Sequence, residues 1–347
     1  MYTLIMLKKN SSVPMATGWL IADLSEFRGK QELYTRQSPQ KLKMLREHAL
    51  IESAISSNRI EGVEVEPGRE KILILGTPTF KDRNEEEVAG YRSALNWIHS
   101  GHAGIPISEA TILRFHKLSR GDIWDAGQYK EKPVDIIELS LDGSRTIRFK
   151  SVSPEETPSA IRDLVGGFEE ALKDVRIQPL LLLAVLNLDF LCIHPFRDGN
   201  GRVSRLLLLL TCYHLGFEVG RYISLERIIE QNKERYYETL LIGSRGWHKG
   251  EHDPWPYINY LLFIIKEAYK ELETRVGEME APRGAKMELV LDALKKFHGS
   301  FTISELGTAC PGVGRDWIQT ILAKLKNDGR VVCEGKGRGA RWIYRKE

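Results

Sequence analysis

CIHPFRDGNGRVSRLLLLL, residues 192–210, sets one His, one Asp, one Asn, two Gly and three Arg between two strongly apolar runs. The run before it, Leu180 to Ile193, is broken only by Asn187 and Asp189. After it Val203, Leu206, Leu207 and Leu210 recur at helical spacing. Two buried helices joined by a polar loop are expected. Pro195 disfavours helical dihedrals at the residue before it, so the first helix should stop at or just before His194. The second should begin near Gly199 to Arg202. Gly199, Asn200 and Gly201 then lie at a helix N-terminus, where unpaired backbone N–H groups and the helix dipole favour an anion.

The side chains around that cradle are those a polyphosphate needs. Arg202 and Arg205, three residues apart, share the first helical turn and offer two guanidinium forks to phosphate oxygens. Asp198 is the hard oxygen ligand that Mg²⁺ takes alongside phosphates. His194 has the unperturbed pKa nearest neutrality and can take a proton from an attacking hydroxyl. Transfer of a nucleotidyl group to a hydroxyl is the expected chemistry. No GxxxxGK[ST] loop is present, so a Walker A site is excluded.

HPFRDGNGRVSR, residues 194–205, resembles the signature HxFx[DE]GNGRxxR of the Fic (filamentation induced by cAMP) family at every specified position. The resemblance implies an all-α core over about residues 85–245 and transfer of AMP from ATP to a Ser, Thr or Tyr hydroxyl of a protein. It makes His194 the base, Asp198 the Mg²⁺ ligand, and Gly199, Asn200 and Gly201 the anion hole. Arg202 and Arg205 would take the distal phosphates, and Phe196 and Arg197 complete the ATP-binding stretch. Tyr236 and Tyr237 fall where the family contacts adenine. Far upstream, SSNRIEG carries Ser57, Glu61 and Gly62 in the pattern [ST]xxxE[GN], which in a large Fic subclass forms an inhibitory helix. Its glutamate is expected on Arg205, because a carboxylate and a phosphate cannot share one fork.

Elsewhere the chain reads as a mainly α protein with one β-hairpin flap. Ser38-Pro39 starts a helix that runs to about Asn58, with Met44, Ile51 and Ile55 at helical spacing. Residues 85–100 and 107–119 read as helices. Residues 127–150, GQYKEKPVDIIELSLDGSRTIRFK, read as a hairpin turning at Asp142-Gly143. By the resemblance this hairpin is the flap that aligns the acceptor segment, with Lys130 where many relatives have Arg. Helices resume at about Ser159 and continue through residues 222–240 and 255–276. APRGAK, residues 281–286, opens a separate tail. There a helix over 287–298, a short one in TISELG, and a third carrying Ile318, Ile321, Leu322 and Leu325 precede a hairpin with a Gly/Arg/Lys tip.

This tail has the layout of a winged helix-turn-helix. Residues 285–347 hold 12 Lys and Arg against 7 Asp and Glu, a net +5, while the whole chain is only +3. DNA binding and protein docking or dimerisation both remain open for it. The expected domains are therefore 1–84 with the inhibitory helix at about 39–62, a Fic catalytic core over 85–280, and a winged helix over 285–347.

Composition sets outer limits. A 347-residue chain with 42% hydrophobic and 28% charged residues is an ordinary globular one. No apolar segment reaches the roughly 20 residues a membrane span needs, and the N-terminus lacks the order of a secretory signal. The four cysteines show no CxxC pairing, which fits a reducing cytoplasm. Cys192, Cys212, His194 and His214 lack zinc-type spacing.

The reading is an autoinhibited, cytoplasmic protein adenylyltransferase using Mg²⁺ and ATP. Its expected partners are a target protein at the flap, the chain itself as acceptor, a second copy in a homodimer, and DNA or protein at the winged helix. Two alternatives are a Fic enzyme that transfers another phosphate-containing group or removes AMP, and a DNA-bound regulator whose Fic core senses nucleotide.

Overall fold

In the computed structural model the described residues are 3–5, 12–36, 39–66, 68–76, 79–139, 145–280, 285–297, 299–310, 313–335 and 340–345. The chain divides into two compact units, Met1–Thr274 and Arg275–Glu347. Residues 1–84 belong to the first unit together with the stretch expected to be the catalytic core. Among the described residues every regular element is a helix except two small antiparallel pairs.

The first unit is built on two helices, α7 (Pro179–Ile193) and α8 (Asn200–His214), that pack on each other on either side of the polar loop. Every residue of α7 from Leu180 on is buried. The polar residues inside that apolar run are accounted for by neighbours. Asn187 donates to the Ser204 carbonyl (2.7 Å) and accepts from the Tyr257 hydroxyl (2.7 Å), which ties α7 to α8 and to α11 (Trp255–Glu280). Asp189 accepts from Trp247 Nε1 (2.6 Å) and from the Thr3 hydroxyl. Asn187 is thereby spared an uncompensated desolvation penalty, whereas the second Asp189 oxygen stays buried without a partner and burial pushes that carboxyl up.

Around this pair, α4 (Arg83–Gly101) packs on α5 (Glu109–Arg120), α5 on α8, and α6 (Thr157–Leu172) on α7. Two helix starts match their caps: Asp82 accepts from the Glu85 N–H and Ser108 from the Thr111 N–H. α1 (Met15–Thr35), for which the sequence offered no periodic signal, buries only Thr17, Leu24 and Tyr34. α2 (Pro39–Ile60) packs on α4, α8 and α9 (Leu225–Gln231). Its spacing-based face is corrected in one place: Met44 is 65% exposed, and Leu45, Ala49, Ser53 and Ala54 turn inward instead. A short α3 (Glu70–Leu75) follows, and α10 (Lys233–Ser244) precedes α11.

The expected hairpin forms a strand pair, β1 (Ile136–Leu139) with β2 (Arg145–Phe149), in antiparallel register Ile137↔Ile147 and Leu139↔Arg145. The expected turn at Asp142-Gly143 lies outside the described residues, as do Ser38, residues 281–284 of the expected break and the wing tip at 336–339.

In the second unit α12 (Ala285–Lys296), α13 (Ile303–Ala309) and α14 (Arg315–Asn327) precede β3 (Val331–Glu334) and β4 (Arg341–Tyr344). Val290, Leu294, Phe301, Leu306 and Val331 form its core with Ile318, Ile321, Leu322 and Leu325, all four of the residues picked by helical spacing. Thr302 and Glu305 cap α13 reciprocally, and Phe301 pairs its backbone with Trp342.

Candidate functional site

α7 ends where Pro195 requires. His194 is its C-cap, in the left-handed region at φ 52 and ψ 61, with its N–H on the Phe190 carbonyl (3.0 Å). It is the only non-glycine residue with positive φ among those described. That conformation turns the half-buried imidazole out of the packed run, and its Nδ1 has no hydrogen-bond partner. Burial, reinforced by the Lys130 charge, pulls the ring down to about 4, so it is neutral at physiological pH. A neutral ring is the form that accepts a proton.

The loop beyond is rigid. Asn200 clasps the backbone of Phe196 at both ends, Oδ1 accepting from its N–H (2.9 Å) and Nδ2 donating to its carbonyl (2.8 Å). Phe196 is fully buried and stacks on His116 at 3.8 Å. His116 Nδ1 accepts from the Gly127 N–H (2.9 Å), which leaves Nε2 as the donor to the Asp198 carbonyl (3.1 Å). Gly199 caps α8 at φ 81, a backbone region that glycine enters without a Cβ penalty. Arg197 lies half-exposed to one side, on Asp125 (2.6 Å) and over the Trp124 ring.

α8 opens with no side-chain cap, so its first N–H groups face the loop. A carboxylate already sits there. Glu61 Oε1 lies 2.8 Å from Arg205 Nη2, and a Cβ added to Gly201 would fall 2.1 Å from the same oxygen. Ser57, one helical turn before Glu61, gives Arg205 two more acceptors, its hydroxyl to Nε (2.8 Å) and its carbonyl to Nη2 (2.8 Å). Arg205 Nη1 stays buried and unpartnered. Gly62 fixes this geometry. It takes φ 78, and the N–H groups of Gly62 and Val63 return to the Arg59 and Asn58 carbonyls (3.0 Å each), the Schellman closure of a helix. Glu61 is thus the last residue before the cap and points where the helix ends.

Arg202 stands elsewhere than spacing suggests. It is 1% exposed, and its Nη1 binds Glu87 Oε2 (2.5 Å), Asn58 Oδ1 (3.3 Å) and the Ser119 carbonyl (3.3 Å). Glu87 also takes Arg120 (2.9 Å), and Arg120 reaches on to Asp198 Oδ2 (2.6 Å). Burial works to raise the Asp198 carboxyl, but Arg120, Arg202 and the Gly199 N–H outweigh it and hold it below its ordinary value. Asn58, Glu87, His116 and Arg120 are site residues that sequence reasoning missed. Only Asn58 carried a signal, its place inside SSNRIEG.

The tyrosines divide. Tyr236 is 3% exposed and packs against Tyr257 and Tyr260, so it is a core residue facing Arg205. Tyr237 is half-buried, with Lys233 Nζ 5.9 Å over its ring. Its carbonyl accepts from Arg148 of the flap (2.7 Å).

For a divalent cation, Asp198 is a fitting single ligand. Its carboxylate is 55% exposed and anionic, and Mg²⁺ is commonly held by one or two carboxylates plus phosphates. Among the described residues no group of three or more His, Cys, Asp or Glu could hold a metal by itself, and none of the four cysteines is in a disulfide. No helix among the described residues is long and apolar enough to cross a membrane.

The buried imidazoles carry a stability consequence. His99 is pulled down to about 3 and His116 to about 4, chiefly by burial, alongside His194. Their folded-state pKa values lie below the ordinary histidine value of about 6.5, so the unfolded chain binds more protons as pH falls. Stability is fully present above pH 6.5 and is lost as pH falls toward 4. A fully buried ring contributes about 2 kcal/mol to that loss by pH 5. Thermal melts from pH 7.5 to 5 should show a steadily falling midpoint, and a His116→Gln variant a shallower fall.

Residues 106–212 match the Fic/DOC family model, and the chain carries a Fic/DOC family domain. It is 25% identical over 231 residues to protein adenylyltransferase fic-1 of Caenorhabditis elegans, covering 64% of this chain and 40% of that protein. A Fido domain-containing protein of Dictyostelium discoideum is 28% identical over 161 residues, 46% of this chain and 99% of its own length. The chain thus spans about two fifths of the first curated relative it matches. Among solved structures, a Fic family protein from Desulfovibrio desulfuricans superposes with a TM-score of 0.63 at 19% identity, covering 97% of this chain and 98% of that one. A fragment of Fic-1 from C. elegans does so at 0.57 and 22%, covering 76% and 73%.

Proposed function

We propose that the chain is a protein adenylyltransferase that transfers AMP from ATP to a Ser, Thr or Tyr hydroxyl and is held idle by Glu61. The observation that carries this reading is the Glu61 carboxylate lying at the N-terminus of α8 on Arg205, with Arg205 Nη1 left buried and unpaired beside it. An anion seat at a helix N-terminus, occupied by a carboxylate in cis, is what a competitively blocked phosphate site requires. Asp198 would hold Mg²⁺, whose charge offsets that of the phosphates. In the working state the Gly199–Gly201 backbone takes the α-phosphate, Arg205 takes a distal phosphate in place of Glu61, and neutral His194 accepts the proton of the hydroxyl as its oxygen attacks the α-phosphorus and the bond to the β-phosphate breaks, so that pyrophosphate leaves. Arg202 acts on phosphate through its fixed charge and its grip on the loop, since its Nη1 is engaged by Glu87. Tyr237 is the better of the two tyrosines for adenine, because Tyr236 is enclosed.

The test is to incubate the Glu61→Gly protein with Mg-ATP and lysate and search by mass spectrometry for an added AMP and its site. Absence of any modified protein, the chain itself included, would remove the transferase reading. Release of AMP from a modified protein by the wild type would favour the reverse reaction.

For the second unit we propose a winged helix that binds duplex DNA. α14 exposes Arg315, Gln319, Thr320 and Lys324 on the side away from its core residues, and the net charge of +5 over 285–347 supports the reading. Affinity for a DNA duplex should fall steeply with salt, and Lys324→Glu should weaken it at every sequence tested. Binding that ignores salt, or no binding at low salt, would leave the unit as a protein-docking module.

A further inference from the structure

Lys130 stands at the entrance of the flap and is 4% exposed. A buried ammonium ordinarily demands a carboxylate, and none is bonded to this one. Its three N–H donors go instead to the Ser151 hydroxyl (2.8 Å), the Ile193 carbonyl (3.1 Å) and the His194 carbonyl (2.8 Å), and its own backbone N–H goes to the Pro195 carbonyl (3.0 Å). An ammonium has three donors, and all are used. One residue therefore binds the carbonyls of three successive residues, the ones that carry the left-handed turn at His194.

Two consequences meet here. The carbonyls at the C-terminus of α7 are orphans of the helix and mark its negative end, so a cation there is favourable. A left-handed non-glycine residue is strained by its Cβ, and the Lys130 bonds hold the backbone on both sides of it. Ser151 lies two residues beyond β2, so the same ammonium also gathers the outgoing leg of the flap against the incoming one. Tyr129 extends the anchor, stacking on Phe196 and donating to Glu109 (2.9 Å).

We propose that Lys130 is a positioning residue, which fixes the acceptor-docking flap at a set distance from the His194 imidazole by clamping both flap legs to the Ile193–Pro195 carbonyls. The inference rests on the flap and base roles proposed above, and it assigns Lys130 no contact with substrate. Burial pulls the Lys130 ammonium down to about 8, against the opposing charge of Asp135 at the flap entrance. The other titratable group facing it is His194, whose protonation Lys130 disfavours. The clamp is therefore charged and complete at neutral pH and loses a donor as pH rises past about 8.

The test uses the full chain carrying Glu61→Gly. Lys130→Met should lower kcat for AMP transfer to protein by roughly tenfold or more, the scale on which small misplacements act. KM for ATP should stay within about twofold. The parent activity should decline above pH 8, and Lys130→Arg, which does not deprotonate in that range, should keep most of kcat and move that decline to higher pH. Independently of any transfer, NMR titration of the His194 ring should give a pKa higher by about half a unit or more in Lys130→Met. An unchanged kcat, an unmoved alkaline decline and an unchanged His194 titration would each overturn the proposal. Should Lys130→Met fail to fold, the alkaline decline of Lys130→Arg decides. If the Glu61→Gly parent transfers no AMP, the transferase reading falls, and the His194 titration still decides whether Lys130 acts on His194.

Discussion

His194→Ala in the Glu61→Gly background is expected to lower AMP transfer by at least about a hundredfold, the lower bound for loss of a general base. ATP binding should be nearly unchanged, since the anion seat is formed by Gly199–Gly201 and Arg205. The size of the effect follows from the isolation of the ring. Its Nδ1 is without a partner, no other histidine lies in the 194–205 stretch, and burial holds it near 4 before substrate arrives. The negative charge of a bound polyphosphate favours the protonated ring and so strengthens the base only when substrate is present. Radiolabelled AMP incorporation measured beside ATP affinity is the check. Retained transfer in His194→Ala would move the base elsewhere and remove the proposed mechanism.

The second large effect runs the other way. Glu61→Gly should raise transfer at a given ATP concentration by roughly 10- to 100-fold, the factor corresponding to one charge-assisted hydrogen bond of about 1.5–3 kcal/mol. The carboxylate is only 27% exposed and lies 2.8 Å from a guanidinium that is 2% exposed, so solvent screens the pair weakly. Glycine at this position leaves the helix closure intact, because the Schellman bonds are made by backbone N–H groups at Gly62 and Val63. Glu61→Gln is the informative companion: it keeps the shape and loses the charge, and should give an intermediate rise. Equal incorporation by wild type and Glu61→Gly would show that the pairing with Arg205 has no hold on activity.

What could be read in advance was whatever depended on neighbours in sequence. Pro195 and the apolar runs beside it located the end of α7 and the start of α8, because both follow from local sterics and from helical periodicity. The face of α14 was legible for the same reason. Contacts across long separations were not. Arg202 and Arg205 share a face by spacing, yet they diverge because Glu87, from α4, draws Arg202 inward, while the end of α2 meets Arg205. Arg120 gave no signal at all, since its partners Glu87 and Asp198 lie far away in both directions along the chain. α1 stayed hidden because a helix that leaves Met15 at 77% and Trp19 at 67% exposure has no apolar stripe to reveal it. Met44 misled by falling in step with Ile51 and Ile55 on a helix that docks through small side chains.

The Schellman closure of α2 makes the Glu61–Arg205 contact a matter of measurement along a helix. Ser57 and Glu61 grip the same guanidinium because they stand four residues apart, about one turn, with Gly62 fixing where that turn stops. One residue added between them would carry Glu61 about 100° around the axis and away from Arg205. The spacing from Ser57 to Gly62 is therefore intolerant of insertion or deletion. α2 works as a gauge whose length, as much as its charge, decides whether the seat is filled.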